Sequence, residues 1–503
     1  MKAIITPTDR ALADIPQRTS VRIALLLAGV LMAFPPFAPA QAGSFVPDWV
    51  KSAVFYQIFP DRFANGDPTN DPPNTEPWGN APSSRNFFGG DLQGIIDRLE
   101  YLQKLGVNAL YLNPIFEASS NHKYNTRDYM RVDPQFGDTL TLKRLVDVCH
   151  QRGMRVILDG VFNHTGVQFF AFADVKEKGS LSIYKNWYSF HSFPVAPASN
   201  PNYECWWGYG SLPRLNTENP AVREYLFSVT RTWMALGIDG WRLDVPNEIS
   251  HGFWREWRTV VKSINPEAYI VGEIWEDGLP WLHGDEFDAV MNYRFRNACL
   301  DFFVQRRIGP TGFSDTLERC AKNYPDEVNL ALQNLLGSHD TERFLTLCNG
   351  NTAVLKLAML FQMTYPGAPM VYYGDEVGMQ GGKDPGCRGT MVWERRKQDT
   401  TLLKFVHDVI ALRKAHSVWT HGTMRGVLRD ERQGVYGFLR EGSGVRGLVL
   451  LNRNEAAATV TLDGSLAGRW RRIWPVDPPL GEPSGAATLI PPISGAVYLE
   501  EAL

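Results

Sequence analysis

Four short stretches place carboxyl, imidazole and guanidinium groups directly after runs of apolar residues. Asp159, Asn163 and His164 follow one run, and Arg242 and Asp244 close a second. Glu273 closes a third, with Trp275 two residues on, and His339 and Asp340 follow a fourth. A lone aspartate in such a place serves equally well as a helix cap or a turn residue. Three carboxyls, Asp244, Glu273 and Asp340, with two histidines and an arginine on one rim would be costly to keep without a task. Such a set suits acid–base and nucleophilic work. Arg242 and Asp244 are two residues apart on one predicted strand, so the strand period turns both to the same side, where the fixed cation favours an ionised aspartate. Glu273 has Trp275 and apolar neighbours, which favour a protonated carboxyl.

A second cluster suggests a metal. Asn65, Asp67, Asn70 and Asp71 fall within seven residues, and Gly89 and Asp91 follow. Hard oxygen donors in a tight turn suit calcium, with spacing unlike an EF-hand, although a turn of this composition also folds without an ion. Aromatic residues make up 12 % of the chain, with 15 Trp and 18 Tyr. Their flat apolar faces and polar edges suit sugars as well as a large core. The net charge of −3, without a basic run, excludes a phosphate polymer as partner. The six cysteines are scattered and form no CxxC pair, which argues against zinc or redox chemistry.

The elements that must position these groups alternate between short apolar runs and helical patterns. Strands are expected at 54–58, 109–113, 155–159, 240–244, 270–273, 289–292, 335–338 and 370–373. Leu92, Ile95, Ile96, Leu99, Leu102 and Leu105 form one apolar helical stripe ended by Gly106. Asn219-Pro220 opens another helix, with Val222, Leu226, Val229 and Trp233 on its inner side. Eight strands in this rhythm predict a (β/α)8 TIM barrel, with a doubly wound sheet as the competing topology. An aromatic- and proline-rich insertion after the third strand lies on the active-site face, and Trp206 and Trp207 within it are candidate platforms. Past residue 420, short strands between Gly- and Asp-containing turns predict an all-β sandwich. At the N-terminus, a 12-residue apolar run after Arg18 and Arg22 precedes small residues up to Ala42. This order predicts a secretory signal peptide, and the run is short for a membrane span. The domains expected are therefore a signal peptide at 1–42, a barrel at 43–164 and 216–419, an inserted domain at 165–215 and a C-terminal β-sandwich at 420–503.

From 54 to 420 the sequence resembles the α-amylase family, glycoside hydrolase family 13. The resemblance is carried by the four blocks around Asp159–His164, Gly240–Asp244, Glu273 and His339-Asp340, and by the segment from Gly367 to Glu376. Leu212 to Asn219 and Val245 to Ile249 are similar to the neopullulanase, cyclomaltodextrinase and maltogenic amylase branch. The resemblance implies Asp244 as nucleophile, Glu273 as general acid/base and Asp340 as transition-state stabiliser. It implies Tyr124, His164, Arg242, His339, Asn247, Glu248, Arg343 and Trp207 as substrate contacts. It further implies Ca2+ held by Asn65, Asp67, Asn70, Asp71, the carbonyl of Gly89, and Asp91. Only about ten residues separate Ala42 from the first barrel strand, short of the β-sandwich this branch carries there, so a monomer is expected.

The expected activity is retaining hydrolysis of α-1,4 bonds in maltodextrins, starch, cyclodextrins or pullulan by a secreted or periplasmic enzyme. The α-glucan is the expected partner, with neither nucleic acid nor membrane. An α-glucan transglycosylase on the same substrates is the alternative within enzymes. A noncatalytic, membrane-anchored amylase-like protein is the alternative from another class, and the complete carboxylate triad argues against it.

Overall fold

The computed structural model describes residues 44–462, 469–475 and 487–500. Eight short strands line its centre: β1 (Phe55–Ile58), β2 (Ala109–Leu112), β3 (Arg155–Gly160), β4 (Gly240–Leu243), β5 (Tyr269–Gly272), β6 (Ala289–Val290), β7 (Gln333–Leu335) and β8 (Ala368–Tyr372). All pair in parallel in chain order, and β1 also pairs with β8. A parallel bridge from Met291 to Gln333 joins β6 to β7 and completes the ring. A doubly wound sheet would have two open edges, so closure decides for the (β/α)8 barrel. Nearly every strand residue is buried because helices cover the outer face and side chains fill the interior. That is why most strands read as nearly continuous apolar runs with polar residues at their C-terminal ends, Gln57 in β1 and Gln333 and Asn334 in β7 being buried polar exceptions.

The helical stripe expected from Leu92 to Leu105 is two helices, Leu92–Asp97 and Leu99–Leu105. Arg98 breaks the hydrogen-bond ladder, yet Leu92, Ile95, Leu99, Leu102 and Leu105 remain buried, so the apolar face runs through the break. Gly106, at φ 99°, takes the left-handed conformation that ends the second helix. The helix Pro220–Met234 starts as expected, with the Asn219 side chain accepting the Ala221 N–H at 2.9 Å.

Between β3 and that helix the chain forms the helix Phe170–Lys178 and several 3-10 turns. Its two ends are tied by a backbone bridge from His164 to Arg214, and a second bridge joins Tyr188, midway along it, to Leu215. Phe172, Tyr188, Phe190 and Tyr203 pack together inside it, with ring centroids 4.9 to 6.1 Å apart.

The C-terminal strands are β9 (Thr423–Asp430), β10 (Val435–Gly442), β11 (Val445–Asn452), β12 (Ala458–Thr461), β13 (Trp470–Trp474), β14 (Ala487–Ile490) and β15 (Ser494–Glu500). They form an antiparallel sheet in the order β9-β10-β11-β15-β13 and a second pair, β12-β14. Val435, Leu439, Leu448 and Leu450 of the larger sheet share one core with Ala458, Val460 and Ile490 of the smaller, which makes a sandwich. The opposite face of the larger sheet packs Tyr436, Phe438, Val449, Leu451 and Val497 into the barrel's own core. The expected signal segment, residues 1–42, lies outside the described residues.

Candidate active site

The strand-end groups converge on Arg242. Its Nη1 donates to Asp159 Oδ1 at 2.8 Å and to Asp244 Oδ1 at 2.9 Å, and its Nη2 stands 2.8 Å from Glu273 Oε2. The side chains of Arg242 and Asp159 are fully buried, and those of Asp244 and Glu273 nearly so. Glu273 also accepts from the Val245 N–H at 3.2 Å and from Trp275 Nε1 at 3.0 Å. Val245 takes φ 36° and ψ 49° to present that N–H. A left-handed conformation at a β-branched residue is strained, and here the strain falls between the two carboxyls it orients.

Burial pushes the Asp244 carboxyl well up, and the charges of Glu273 and Asp159 add to this against the pull of Arg242. The guanidinium therefore pairs with Asp244 as its position in the sequence predicts but does not outweigh desolvation. Asp340 is pushed up to about 7 by removal from water and by Glu273, against Arg388 and Arg242. Two guanidiniums thus face four carboxyls, and full ionisation would leave uncompensated negative charge in a low-dielectric cleft. Burial and mutual repulsion thus oppose full ionisation of the cluster.

Around this centre, Tyr124 Oη donates to Asp159 Oδ2 at 2.9 Å, accepts from Asn113 at 3.0 Å and lies 2.6 Å from His339 Nε2. The Tyr124 and His339 rings stack with centroids 5.5 Å apart. Gln57 Nε2 donates to His339 Nδ1 at 2.8 Å, which leaves the His339 proton on Nε2, toward Tyr124 Oη and Asp340 Oδ2, the latter 3.1 Å away. Burial and the nearby arginines hold His339 well below the usual histidine range, and burial holds His164 down to about 3. Both rings are neutral donors and acceptors. His164 Nε2 is buried without a partner.

Arg388, which sequence reasoning missed, donates from Nη2 to Asp340 Oδ1 at 3.2 Å and from Nε to the His339 carbonyl at 2.8 Å. It lies 48 residues beyond Asp340 in a segment without strand or motif signal. Tyr111, Asn113 and Gln57 were likewise not singled out, and Asp159 was named as a strand-end group without a role. The only available signal for them was their place on barrel strands, with polar side chains amid apolar runs.

The cleft wall is aromatic. Trp206 stacks on His164 at 5.6 Å and on Trp207 at 5.1 Å. Trp207 is 77 % exposed, in a left-handed conformation at φ 46°, and its Nε1 donates to Glu248 Oε1 at 3.0 Å. Glu248 also accepts from Asn163 at 3.4 Å, and Asn247 is exposed beside it. On the other side, Trp275 stacks face to face on Tyr293 at 3.8 Å. Arg343, expected at the substrate, is elsewhere. It is fully buried, donating to Asp375 Oδ1 and the Tyr373 carbonyl at 2.8 Å and lying over the rings of Tyr372 and Tyr373. Its charge neutralises a buried aspartate and cannot reach the cleft.

The candidate calcium loop gathers along the chain that follows β1 and the short helix Pro60–Phe63. Asn65 Nδ2 donates to Asp71 Oδ1 at 2.8 Å, and Asp91 accepts from the N–H groups of Gly66, Asp67 and Gly94 and from Asn70 Nδ2. The Asp67 side chain accepts from the N–H and hydroxyl of Thr69, so Asp67 reaches Asp91 through its backbone. Asn70 Oδ1 is buried without a partner. At Gly89, φ 77°, an added Cβ would lie 2.2 Å from Asp71 Oδ1. An orphaned oxygen, a carbonyl at a glycine-only position and further oxygen donors fit a hard cation such as Ca2+.

The family description "Alpha amylase, catalytic domain" matches residues 57–411. Neopullulanase 2 of Thermoactinomyces vulgaris is 54% identical over 413 residues, 81% of this chain and 71% of that protein. The ligand-free cyclic α-maltosyl-(1→6)-maltose hydrolase of Arthrobacter globiformis matches with a TM-score of 0.85 at 41% identity, over 90% of this chain and 100% of that one. A third relative, 45% identical over 397 residues (78% of this chain, 67% of that protein), is named the intracellular maltogenic amylase of Bacillus subtilis. This finding corrects the expectation of a secreted or periplasmic protein with a signal peptide cleaved near Ala42. A family match over most of the barrel, with close relatives on both sequence and structure, establishes that the chain belongs to the α-amylase family, glycoside hydrolase family 13, and is a glycoside hydrolase.

Proposed function

We propose that the enzyme is a retaining α-glucan hydrolase that cleaves α-1,4-glucosidic bonds through a covalent glucosyl intermediate on Asp244. The observation that carries this reading is that Asp244 and Glu273 engage the two terminal nitrogens of one guanidinium, Arg242. Retaining enzymes hold their carboxyls about 5–5.5 Å apart, whereas inverting enzymes need about 6.5–9.5 Å to admit a water. Two carboxylates sharing one fork favour the shorter spacing.

In the first step an Asp244 oxygen attacks the anomeric carbon while Glu273 gives its proton to the glycosidic oxygen, whose bond to that carbon breaks. In the second, Glu273 takes a proton from water, the water oxygen displaces Asp244, and the α configuration returns. Asp340 opposes the oxocarbenium charge that develops in the transition state of each step, and His164 and His339, both neutral, bind sugar hydroxyls. Tyr124 offers its ring to the reacting sugar. Maltodextrins, starch fragments, cyclodextrins and pullulan are the substrates in view, in keeping with relatives named neopullulanase and cyclomaltodextrinase.

Replacing Asp244 by Asn removes the nucleophile at constant size. Turnover should fall by at least about 10⁴-fold, as expected for loss of a covalent nucleophile, with an unchanged melting temperature. Near-normal activity would remove the assignment.

A second reading, glycosyl transfer to a sugar in place of water, is favoured by one observation. The exposed Trp207 indole, held by Glu248, offers an acceptor a stacking surface beside the nucleophile loop. We also propose Ca2+ as a structural ion held by Asn65, Asn70, Asp71, Asp91 and the Gly89 carbonyl, with Asp67 shaping the turn. The ion would supply positive charge to a loop of carboxylates and fix the chain after β1.

A further inference from the structure

Arg62 lies directly after β1, on the short helix Pro60–Phe63, and is fully buried. Its Nε donates to Asp61 Oδ2 at 2.6 Å, its Nη1 to the Arg388 carbonyl at 2.8 Å and its Nη2 to the Asn86 carbonyl at 3.0 Å. The Arg62 carbonyl accepts the Met391 N–H at 2.7 Å. Residue 62 thus grips the segment after β8 at two points, one on either side of Gly389 and Thr390. Asp61 Oδ1 in turn accepts the N–H groups of Phe88 and Gly89 at 3.0 and 3.3 Å. The ring of Phe59 lies between the two guanidiniums, 5.7 Å from that of Arg62 and 5.5 Å from that of Arg388. The gripped segment is a 3-10 turn and irregular chain, so neither strand nor helix fixes where Arg388 stands. Yet Arg388 is the cation that touches Asp340 and the backbone of His339.

We propose that Arg62, braced by Asp61, is a positioning residue for glycosidic cleavage: by fixing the carbonyl of Arg388 it aims that guanidinium at Asp340. The inference rests on the reading of Asp340 as transition-state stabiliser. A planar fork with three separate acceptors suits this task, because a lysine keeps the charge but can satisfy only part of the geometry. Small displacements matter here, since a misplacement of about 1 Å at a reacting centre costs on the order of 10²-fold in rate.

The test compares Arg62→Lys with Arg413→Lys, which alters another buried arginine that donates to carbonyls, distant from the cleft. Melting temperature, kcat, KM and the acid limb of the pH–rate profile are measured on maltoheptaose. Groups facing Asp340 are His339, Arg388, Glu273, Arg242, Asp159, Tyr124, Tyr293 and Cys387. Among these, Arg62 contacts only Arg388. Arg62→Lys should lower kcat about tenfold with KM within about twofold, the pattern of a loss confined to the transition state. Its acid limb should move to higher pH by about half a unit or more, because a weaker field from Arg388 lets Asp340 keep its proton longer. Arg413→Lys should lower the melting temperature and leave the limb in place. In an Arg388→Lys background, Arg62→Lys should change neither kcat nor the limb further. The proposal is overturned if Arg62→Lys lowers only the melting temperature, or if its effects simply add to those of Arg388→Lys. Asp340→Asn separates the two layers: full activity there removes the assigned role of Asp340, whereas an inactive Asp340→Asn with an unmoved limb in Arg62→Lys removes this inference alone.

Discussion

Asp340 differs from its neighbours in the carboxylate cluster by keeping 29 % of its side chain open to water. That opening lets it meet a sugar, and it also lets the group titrate within the working range. Its carboxyl is pushed up to about 7, and the proposed mechanism needs it ionised. The free enzyme should therefore lose kcat/KM as pH falls through about 7, approaching tenfold per unit below it, a limb well above that of an ordinary aspartate. A profile flat down to pH 5 would contradict the ionised role. Arg343 gives the opposite kind of residue-scale expectation. It pairs with Asp375 where no water reaches, so Arg343→Met should cost about 3–5 kcal/mol by stranding that carboxylate. Thermal melting should register the loss, while KM for maltoheptaose in surviving enzyme should stay within about twofold if the residue makes no substrate contact. Sequence could not tell these two roles apart. Arg343 follows Asp340 by three positions, but the chain turns between them and sends its side chain under the rim.

At the scale of elements, the parts legible in the sequence were those encoded locally. Each rim carboxylate sits at or within five residues of its strand's end, so an apolar run followed by a polar residue reveals both together. Closure of the barrel needed only eight such runs in order. Parts built from distant segments were not legible: Arg388 meets Asp340 through a loop, and the helix break at Arg98 leaves no gap in the apolar stripe. The wall formed by Trp206 and Trp207 was half legible, since the residue types were evident but not the bond from Trp207 to Glu248 that spans two elements. Trp207→Ala should raise KM for β-cyclodextrin by about twofold to tenfold, the equivalent of about 0.5–1.5 kcal/mol of lost stacking. It should also reduce products longer than the starting maltoheptaose. Unchanged product distributions on maltoheptaose, β-cyclodextrin and pullulan would count against Trp207 as an acceptor platform.

Across the whole molecule, the candidate calcium loop and the active site both draw on the chain at the C-terminal end of β1, and both depend on how firmly that chain is held. If Ca2+ is resident, saturating ion at a hundredfold above Kd stabilises by about 2.7 kcal/mol, and chelation should lower the melting temperature accordingly. Metal analysis of purified protein checks the same point, and an unchanged melt with no metal found would refute it. Barrel and sandwich are bound in a different way. Arg413, in the helix Thr400–Ala415, donates to the carbonyls of Met363, Tyr365, Gly367 and Trp419, and also to that of Lys51. Arg440, on β10, donates to those of Thr364, Gly422 and Thr423. Neither has an acidic partner among the described residues. Arg413 takes its oxygens from the barrel side alone, whereas Arg440 takes one from the barrel, at Thr364, and two from the start of the sandwich, at Gly422 and Thr423, and one apolar core runs across the boundary. For recombination between relatives, this makes the last barrel helix and the sandwich a single unit of inheritance. A crossover placed in the apparent linker near residue 420 would part Arg440 from the Thr364 carbonyl and divide the core shared by sheet and barrel, whereas one placed among the rim loops would exchange specificity and leave the scaffold whole.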